Sequence, residues 1–397
     1  MTRRVAVIGG AASPNGKLQT PPDAPIQTLE HEILAPLVIE AMAAGGLPKE
    51  EVDALLFALC RPYTLQKYFA TFLANYLKLP LSGTIMEVLG NGMTGGLAFD
   101  EAVNTVALGH ADVALALGIN MESSASSADH AMSSMRATGD VDFHTPFGFT
   151  PIAWYAMDAV RYMHDFGATR AELASVAVKD RRHASLNPIA QFRKPLTLEA
   201  VLAARPIVEP LGLYEVPPRG DGAVCLVVCS EEVAKATGRP YALLRGRGFA
   251  HEGAHQINEI PNDMTAFVSA RQAAAAAYAA AGIGPDDLDL AELYAPCTIV
   301  QILVSEAMGL APRGRGAAAA AAGETALGGR IPICTSGGCL SRGHPAYVTG
   351  LLTIYELWEQ LTGRAGERQV PNARLAAGSC ELGNYNAALI HVLEAVA

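Results

Sequence analysis

Charged residues are scarce in this chain, and lysine and arginine form no run. Charged side chains make up 17% of the 397 residues, and the formal net charge is −10. Proteins that bind nucleic acids concentrate basic side chains on one surface, so we predict no nucleic-acid partner. Half of the residues are hydrophobic, which is enough for large cores, and a chain of this length usually builds two or more of them.

Motifs for structural metals and for nucleotide phosphates are also missing. The seven cysteines include no C-x-x-C pair, so we predict no zinc or other metal site. Their odd number and the lack of an export signal favour reduced thiols and a cytoplasmic location. The alanine-rich segments 273–281 and 317–322 are too short to predict a membrane span. The sequence contains no G-x-G-x-x-G and no P-loop.

Short apolar runs alternate with segments of helical periodicity through most of the chain. This alternation is typical of an α/β sheet with parallel strand pairs. It is interrupted over residues 121–219 and starts again near residue 241 in a similar order. We therefore predict an N-terminal half (1–120 plus 220–240), an insertion (121–219) that covers a cleft, and a C-terminal half (241–397).

Glycines surround one histidine late in the chain. His344 follows Gly343 and precedes an apolar helical pattern that begins at Leu351. Glycine allows tight turns and close approach of the backbone to a ligand, and histidine exchanges protons near neutral pH. A glycine-rich turn with an incidental histidine would give the same pattern, so the neighbouring motifs decide its meaning.

Three further motifs accompany this histidine. They are Gly95-Gly-Leu-Ala98 at the head of a predicted helix, Gly220-Asp-Gly-Ala223 before a predicted strand, and Cys380-Glu-Leu-Gly383 near the end of the sequence. With Gly343-His-Pro345, they resemble the motifs of the thiolase superfamily, most closely the sterol-carrier-protein type of thiolase. The resemblance covers nearly the whole chain. It implies the thiolase fold, with two pseudo-duplicated α/β/α halves and an inserted loop domain.

The resemblance implies chemistry on a coenzyme A (CoA) thioester, with no covalently bound cofactor. Thiolases carry a nucleophilic cysteine in the sequence Cys-x-Ser-Gly-Gly-Leu-Ala, where a helix N-terminus favours the thiolate. In this chain Gly92 stands at the cysteine position, and no cysteine occurs between Cys60 and Cys225. An acyl-cysteine at the usual place therefore cannot form.

Three residues form the predicted catalytic set. His344 and Cys380 match the family's histidine and second cysteine, which implies a hydrogen-bond donor for the thioester oxygen and a group that moves a proton. Tyr294 follows a predicted strand, where the family has Asn or His. It resembles a tyrosine of the thiolase-like steroid side-chain aldolases, which also lack the nucleophilic cysteine. Gly343 and Gly383 are the predicted glycines of the oxyanion loops.

Residues of the insertion are predicted to bind the substrate. The resemblance implies that His144 and Trp154 lie where the family binds acyl and pantetheine groups. Arg182 and Lys194 are candidates for contacts with the CoA phosphates. For any single one of these cations, a solvated basic surface is the more common explanation.

Three functions remain open from the sequence. The first is an aldolase-type enzyme that makes or breaks a C–C bond of an acyl-CoA. The second is an acyltransferase that uses direct transfer or another thiol, with Cys339 and Cys297 as candidates. The third is a non-catalytic CoA-binding or scaffold subunit. The resemblance also implies a homodimer and suggests a small OB-fold/zinc-ribbon protein as a second subunit.

Overall fold

The computed structural model describes residues 3–18, 28–60, 63–80, 83–136, 139–253 and 263–397. The strands are β1 (Val5–Ala12), β2 (Ala54–Ala58), β3 (Ile85–Val88), β4 (Val113–Asn120), β5 (Pro206–Val208), β6 (Leu211–Gly212), β7 (Gly222–Ser230), β8 (Tyr241–His251), β9 (Leu290–Glu292), β10 (Leu375–Leu382) and β11 (Ala387–Val396). The helices are α1 (Glu30–Gly45), α2 (Phe69–Leu77), α3 (Thr94–Ala107), α4 (Ser127–Met135), α5 (Pro151–Phe166), α6 (Arg170–Ser185), α7 (Leu198–Leu202), α8 (Glu231–Ala236), α9 (Val268–Ala281), α10 (Thr298–Ala307), α11 (Gly316–Ala321) and α12 (Thr349–Leu361).

Nine strands form one sheet in the order β3-β2-β4-β7-β1-β8-β11-β10-β9. β2 lies parallel to β3 and β4, and β10 lies parallel to β9, whereas the other pairs are antiparallel. The first five strands in this order precede residue 231, and the last four follow residue 240. The two groups meet where Ala6 and Val7 pair with Leu243 and Ala242. The predicted α/β class is confirmed.

Alternate residues of the sheet face two different layers of helices. Ala6 and Ile8 of β1 pack in the core that includes α1 and α2, whereas Val5 and Val7 pack in the core that includes α3 and α12. This follows from the two-residue period of a strand. A further core joins β9–β11 to α5, α6, α9 and α10. The sheet therefore has buried residues on both faces, as expected of a layered α/β protein.

Apolar runs alternating with helical segments predicted an α/β sheet, and strands and helices alternate along most of the described chain. The described residues of 121–219 contribute α4–α7 and the small β5–β6 sheet, and no strand of the large sheet. Within the described ranges, no helix has both the length and the apolar character needed to cross a bilayer.

The first turns of α3 and α12 touch through their backbones. A methyl group on Gly95 would lie 2.9 Å from the Leu351 nitrogen, and one on Gly350 would overlap the Gly96 nitrogen. Only glycine permits such an approach. Both helices are buried along most of their length, so the two N-termini meet inside the protein.

We expect Gly350→Ala to destabilise the protein, because the added methyl group forces the two helix backbones apart. Overpacking of this kind costs about 1–3 kcal/mol or more. Chemical denaturation measures the change in the free energy of unfolding. Gly284→Ala is the matched control, since a methyl group there would meet nothing closer than 3.8 Å. Equal stability of the two variants would contradict the importance of the crossing.

Candidate active site

A cavity of about 600 Å³ opens beside the loops that lead into α3 and α12. Its wall also includes parts of α4 and α5, the segment after β9 and the turn between β10 and β11. The buried or partly buried polar side chains of the wall include Tyr155, Tyr294, Cys297, His344, Glu381 and Asn384. The site therefore gathers residues from both halves of the sheet and from the insertion.

Tyr294 fills the space that a side chain at position 92 would need. Gly92 lies in a 3-10 turn (Asn91–Met93) just before α3. A methyl group on Gly92 would lie 3.0 Å from the Tyr294 hydroxyl oxygen and 3.1 Å from the Glu381 carbonyl oxygen. Non-bonded contacts of a carbon atom are normally about 3.5–4.0 Å. A side chain at position 92 and the Tyr294 hydroxyl would therefore compete for the same space.

Tyr294 and His344 form a hydrogen-bonded pair in the cavity wall. The Tyr294 hydroxyl lies 2.9 Å from His344 Nε2, and the tautomer of the imidazole decides which atom donates. Burial, with the charge of Arg342, lowers the His344 pKa to about 3. Burial raises the Tyr294 pKa well above 10. At neutral pH the pair is therefore an uncharged phenol and an uncharged imidazole.

A buried ion pair fixes the two loops that carry this pair. Glu292 ends β9, two residues before Tyr294, and Arg342 ends a π-helical turn (Gly338–Arg342), two residues before His344. Arg342 Nη1 donates to Glu292 Oε1 at 3.2 Å, and both side chains are almost fully buried. Loss of one member of such a pair costs about 3–5 kcal/mol. The ion pair therefore holds Tyr294 and His344 at a fixed separation.

Cys380 lies behind the cavity wall, at the crossing of α3 and α12. Its Sγ donates to the Gly92 carbonyl oxygen at 3.7 Å. A methyl group on Gly96 or Gly350 would come within 2.9 Å or 2.8 Å of the same sulfur atom. Burial raises the pKa of the Cys380 thiol to about 12, so the thiol stays protonated. The structure thus brings Cys380 to the backbone of Gly92, and it does not place the residue in the cavity wall.

Glu381 is a cavity residue that sequence reasoning missed. Its Oε1 accepts a hydrogen bond from the Tyr155 hydroxyl at 3.1 Å, and its Oε2 accepts one from the Tyr385 backbone N–H at 2.9 Å. Burial raises the pKa of this carboxyl to about 7. The sequence contains Glu381 within the motif that begins at Cys380, but the motif gives no sign of its burial or of Tyr155 beside it.

The two predicted glycines serve different purposes. Gly383 lines the cavity and has φ 49°. Gly343 has φ 124°, and a methyl group on it would lie 2.8 Å from Asn15 Cβ. Gly343 is absent from the cavity wall, so it shapes the loop before His344 by allowing close packing and an unusual backbone.

The four predicted substrate-binding residues lie outside the cavity wall. His144 and Trp154 pack against each other edge to face, with ring centroids 5.5 Å apart. His144 Nδ1 accepts from the Asp140 backbone N–H at 2.8 Å. Arg182 and Lys194 are exposed side chains. The structure therefore does not bring these four together with Tyr294 and His344.

Arg136 and Arg219 are the guanidinium groups of the cavity wall. Arg136 is exposed. Arg219 Nη2 donates to the Glu122 carbonyl oxygen at 2.6 Å and also bonds the Ala125 carbonyl. Neither residue belongs to a sequence motif, so only the folded structure shows their place.

The two thiols considered as replacements for the missing nucleophile are buried and protonated. Cys297 lines the cavity, and burial raises its pKa well above 9. Cys339 is outside the cavity wall, and burial raises its pKa to about 12. Because the thiolate is the reactive form of cysteine, neither residue is activated for attack on a thioester.

The raised pKa of Glu381 predicts a pH dependence of stability. An unfolded chain releases this proton near pH 4.3, whereas the folded chain releases it near pH 7. The contribution of the protonated Glu381 carboxyl to the free energy of unfolding is therefore complete below about pH 4.3. It is lost as the pH rises through about 7. Glu381→Gln should flatten this decline, measured as the difference in denaturation midpoint between pH 5 and pH 8. The control is Glu40→Gln on the exposed face of α1. An unchanged pH profile in Glu381→Gln would contradict the assignment.

Comparisons with known proteins agree with the fold. The thiolase N-terminal domain profile matches residues 5–204, and the thiolase C-terminal domain-like profile matches residues 250–395. The chain is 34% identical over 306 residues to benzoylsuccinyl-CoA thiolase subunit BbsB of Thauera aromatica, covering 76% of this chain and 78% of that protein. It is 31% identical over 322 residues to sterol carrier protein 2 of Oryctolagus cuniculus, covering 76% of this chain and 57% of that protein.

Aldolases are also among the similar proteins. The chain is 35% identical over 240 residues to a steroid side-chain-cleaving aldolase of Thermomonospora curvata, covering 59% of this chain and 61% of that protein. The solved structure of the Ltp2-ChsH2(DUF35) aldolase superposes with a TM-score of 0.83 at 27% identity, covering 99% of this chain and 98% of that chain. The predicted resemblance is confirmed, and this chain belongs to the thiolase superfamily and has the thiolase fold.

Proposed function

We propose that this thiolase-superfamily enzyme cleaves, or in reverse forms, the Cα–Cβ bond of a β-hydroxyacyl-CoA thioester, without an acyl-cysteine. The observation that carries the proposal is the Tyr294 phenol, which occupies the space beside Gly92 and bonds His344 at 2.9 Å. A retro-aldol reaction needs an acceptor for the hydroxyl proton and a donor for the enolate oxygen. The phenol–imidazole pair supplies both.

In the cleavage direction, the β-hydroxyl proton moves to the Tyr294 oxygen while the phenol proton moves to His344 Nε2. The electrons of the O–H bond form the new carbonyl, and those of the Cα–Cβ bond form the thioester enolate. Return of this proton from His344 Nε2 through the Tyr294 hydroxyl to Cα then gives the shortened acyl-CoA and an aldehyde or ketone. The relay is needed because the Tyr294 pKa lies well above 10, so the phenol does not ionise alone.

The low pKa of His344 makes the imidazole a weak proton acceptor in the resting site. Burial and the charge of Arg342 keep it neutral there. A negative charge that develops on the thioester oxygen offsets the effect of Arg342, because an opposite charge nearby favours the protonated imidazole. His344 therefore gains its proton only as the enolate forms, which is stabilisation specific to the transition state.

Acyl transfer through another thiol is the alternative. The raised pKa values of the candidate thiols disfavour it. Cys297 is the cysteine of the cavity wall, and its thiol is held protonated by burial. The third alternative, a non-catalytic CoA-binding subunit, leaves the buried Glu292–Arg342 pair and the Tyr294–His344 contact without a role. The aldolases among the similar proteins support the first reading.

Acyl-CoA is the proposed substrate class, and no covalently bound cofactor is needed. Arg136 and Arg219 are the cavity-lining groups that suit the CoA phosphates. Of the earlier candidates, we retain Arg182 and Lys194 as outer contacts for the same anionic groups. His144 then acts from behind the wall through its packing on Trp154, which belongs to the first turn of α5. We also retain a cytoplasmic location, which fractionation of the native cells would test.

A small OB-fold/zinc-ribbon protein remains a proposed second subunit. The support is the solved aldolase, whose name joins two parts, Ltp2 and ChsH2(DUF35). No group of residues that could hold a metal occurs in the part of this chain that the structure describes, so a zinc ribbon would have to come from another chain. Full turnover by the purified chain alone would remove the need for a partner.

We expect Tyr294→Phe to lower kcat on a β-hydroxyacyl-CoA by roughly 10²–10⁴-fold, because the ring remains and the proton relay is lost. His344→Ala should lower kcat by roughly 10²–10³-fold. Steady-state kinetics with detection of the released aldehyde or ketone measures both. Rates like those of the wild type in both variants would reject the catalytic assignment.

Gly92→Ala and Gly92→Cys should also lower the rate, because either side chain pushes the Tyr294 hydroxyl away. In the Tyr294→Phe background the added methyl group should cost less stability, since the 3.0 Å contact with the hydroxyl oxygen is lost and only the 3.1 Å contact with the Glu381 carbonyl oxygen remains as close. Mass spectrometry after incubation with acyl-CoA should find no adduct on the wild type. A stable adduct on the wild type would favour acyl transfer instead.

We expect a homodimer formed through β3. This strand is at one end of the sheet, and Ile85 and Met86 are 39% and 40% exposed. An exposed apolar edge strand favours pairing with another copy. Met86→Lys should therefore produce monomers in light scattering, whereas Leu108→Lys, at an exposed position after α3, should leave the dimer intact. A wild-type monomer at micromolar concentration would contradict the assignment.

A further inference from the structure

The cavity wall contains a carboxamide whose two polar atoms have no partner. Asn384 is 5% exposed and lines the cavity. Neither its Oδ1 nor its Nδ2 has a hydrogen-bond partner among the described residues. Leaving a buried polar group unsatisfied costs about 1–3 kcal/mol, and native proteins contain few of them. The carboxamide is therefore matched to a group that the protein itself does not supply.

The turn that carries Asn384 is strained. Gly383, Asn384 and Tyr385 have φ angles of 49°, 56° and 60°. Left-handed residues normally occur singly, because each L-residue other than glycine costs about 1–2 kcal/mol there. A tyrosine in this region is rarer still. Strain of this kind persists only where surrounding contacts enforce it, and it is common in ligand sites.

Several contacts enforce the turn from behind. The Tyr385 hydroxyl donates to the Tyr294 carbonyl oxygen at 2.7 Å, and its ring stacks on Phe267 with centroids 4.9 Å apart. The Tyr385 N–H donates to the Glu381 carboxylate at 2.9 Å, and the Ser269 hydroxyl donates to the Tyr385 carbonyl. Asn384 is therefore held in the wall by its neighbours, while its own side chain is left without a bond.

The surroundings of Asn384 define the ligand group. The Glu381 carboxyl and the Tyr155 hydroxyl line the same cavity, and they bond each other. The guanidinium groups of the wall are those of Arg136 and Arg219. Arg136 is exposed, and Arg219 is bound to loop carbonyls. A ligand carboxylate would be buried beside the Glu381 carboxyl with no buried cation to compensate its charge. Burial of an unpaired charge weakens binding. An alkyl group would leave the carboxamide unsatisfied.

We propose that Asn384 determines acyl specificity by binding an uncharged hydroxyl or carbonyl group of the acyl chain beyond the β-carbon. This inference rests on the proposed function, which assigns the β-oxygen and the thioester oxygen to Tyr294 and His344. A third polar group of the substrate then remains for Asn384. A site built around a buried hydrogen bond discriminates strongly against analogues that lack the group.

Binding of unreactive acyl-CoA ligands to the full-length chain tests the inference. Isothermal titration calorimetry would compare hexanoyl-CoA with its 4-, 5- and 6-hydroxy derivatives, with 5-oxohexanoyl-CoA and with adipoyl-CoA. None of these carries a β-hydroxyl group, so the result does not depend on whether the protein is an aldolase. We expect at least one hydroxylated ligand to bind about 10-fold more tightly than hexanoyl-CoA, as one satisfied hydrogen bond predicts, and adipoyl-CoA to bind more weakly.

Asn384→Gly should remove this preference and leave the affinity for hexanoyl-CoA unchanged. Glycine tolerates the left-handed backbone. Asn384→Asp, which also tolerates this region and keeps an acceptor, is the second variant if the first unfolds. It should still prefer a hydroxyl group but lose any preference for 5-oxohexanoyl-CoA.

Two outcomes would overturn the inference. An equal loss of affinity for hexanoyl-CoA and its hydroxylated derivatives in Asn384→Gly would show that Asn384 contacts the shared CoA portion. A wild type that binds neither a hydroxylated ligand nor 5-oxohexanoyl-CoA better than hexanoyl-CoA would show that the carboxamide has no such partner. Failure of the proposed function is a separate result: no cleavage of any β-hydroxyacyl-CoA, with the binding preference intact.

Discussion

The backbone contact between the first turns of α3 and α12 is the constraint on which the site depends. Gly95, Gly96 and Gly350 allow the two helices to meet, and Cys380 fills the remaining space beneath them. Gly92 and His344 lie in the two loops that lead into these helices. A helix N-terminus also favours negative charge, which suits a site where an enolate forms. Fold and chemistry therefore depend on the same few glycines.

The two departures from the thiolase pattern, Gly92 and Tyr294, are neighbours in space. A glycine at position 92 removes the nucleophile, and it also leaves room for the Tyr294 hydroxyl, which a methyl group on Gly92 would approach to 3.0 Å. Considered alone, Gly92 indicates a lost function. Tyr294 considered alone indicates only a tyrosine at the edge of the core. Together they place a phenol, where the resemblance implies a thiol, at 2.9 Å from His344 Nε2.

Local motifs explain what the sequence predicts well. Gly92, Tyr294 and His344 each stand out within a few neighbouring residues, and the structure brings them together. Glu381 and Asn384 could not be recognised, because the pairing of Glu381 depends on α5 and the burial of Asn384 depends on the hairpin turn. His144 and Trp154 were predicted in the substrate region, but their mutual packing lies outside the cavity wall. The start of helix α6 also has a local sequence signal, because Thr169 and Glu172 form a capping box.

The distribution of charge around the site favours a reaction that creates charge over one that begins with it. Arg342 is paired with Glu292 and acts on His344 only through its field. Tyr294, Cys297 and Cys380 all have pKa values raised by burial. Thiolate chemistry requires an anion before the substrate reacts, which this environment opposes. An aldol-type reaction requires only neutral groups at the start, because its charge appears on the thioester oxygen as the C–C bond changes.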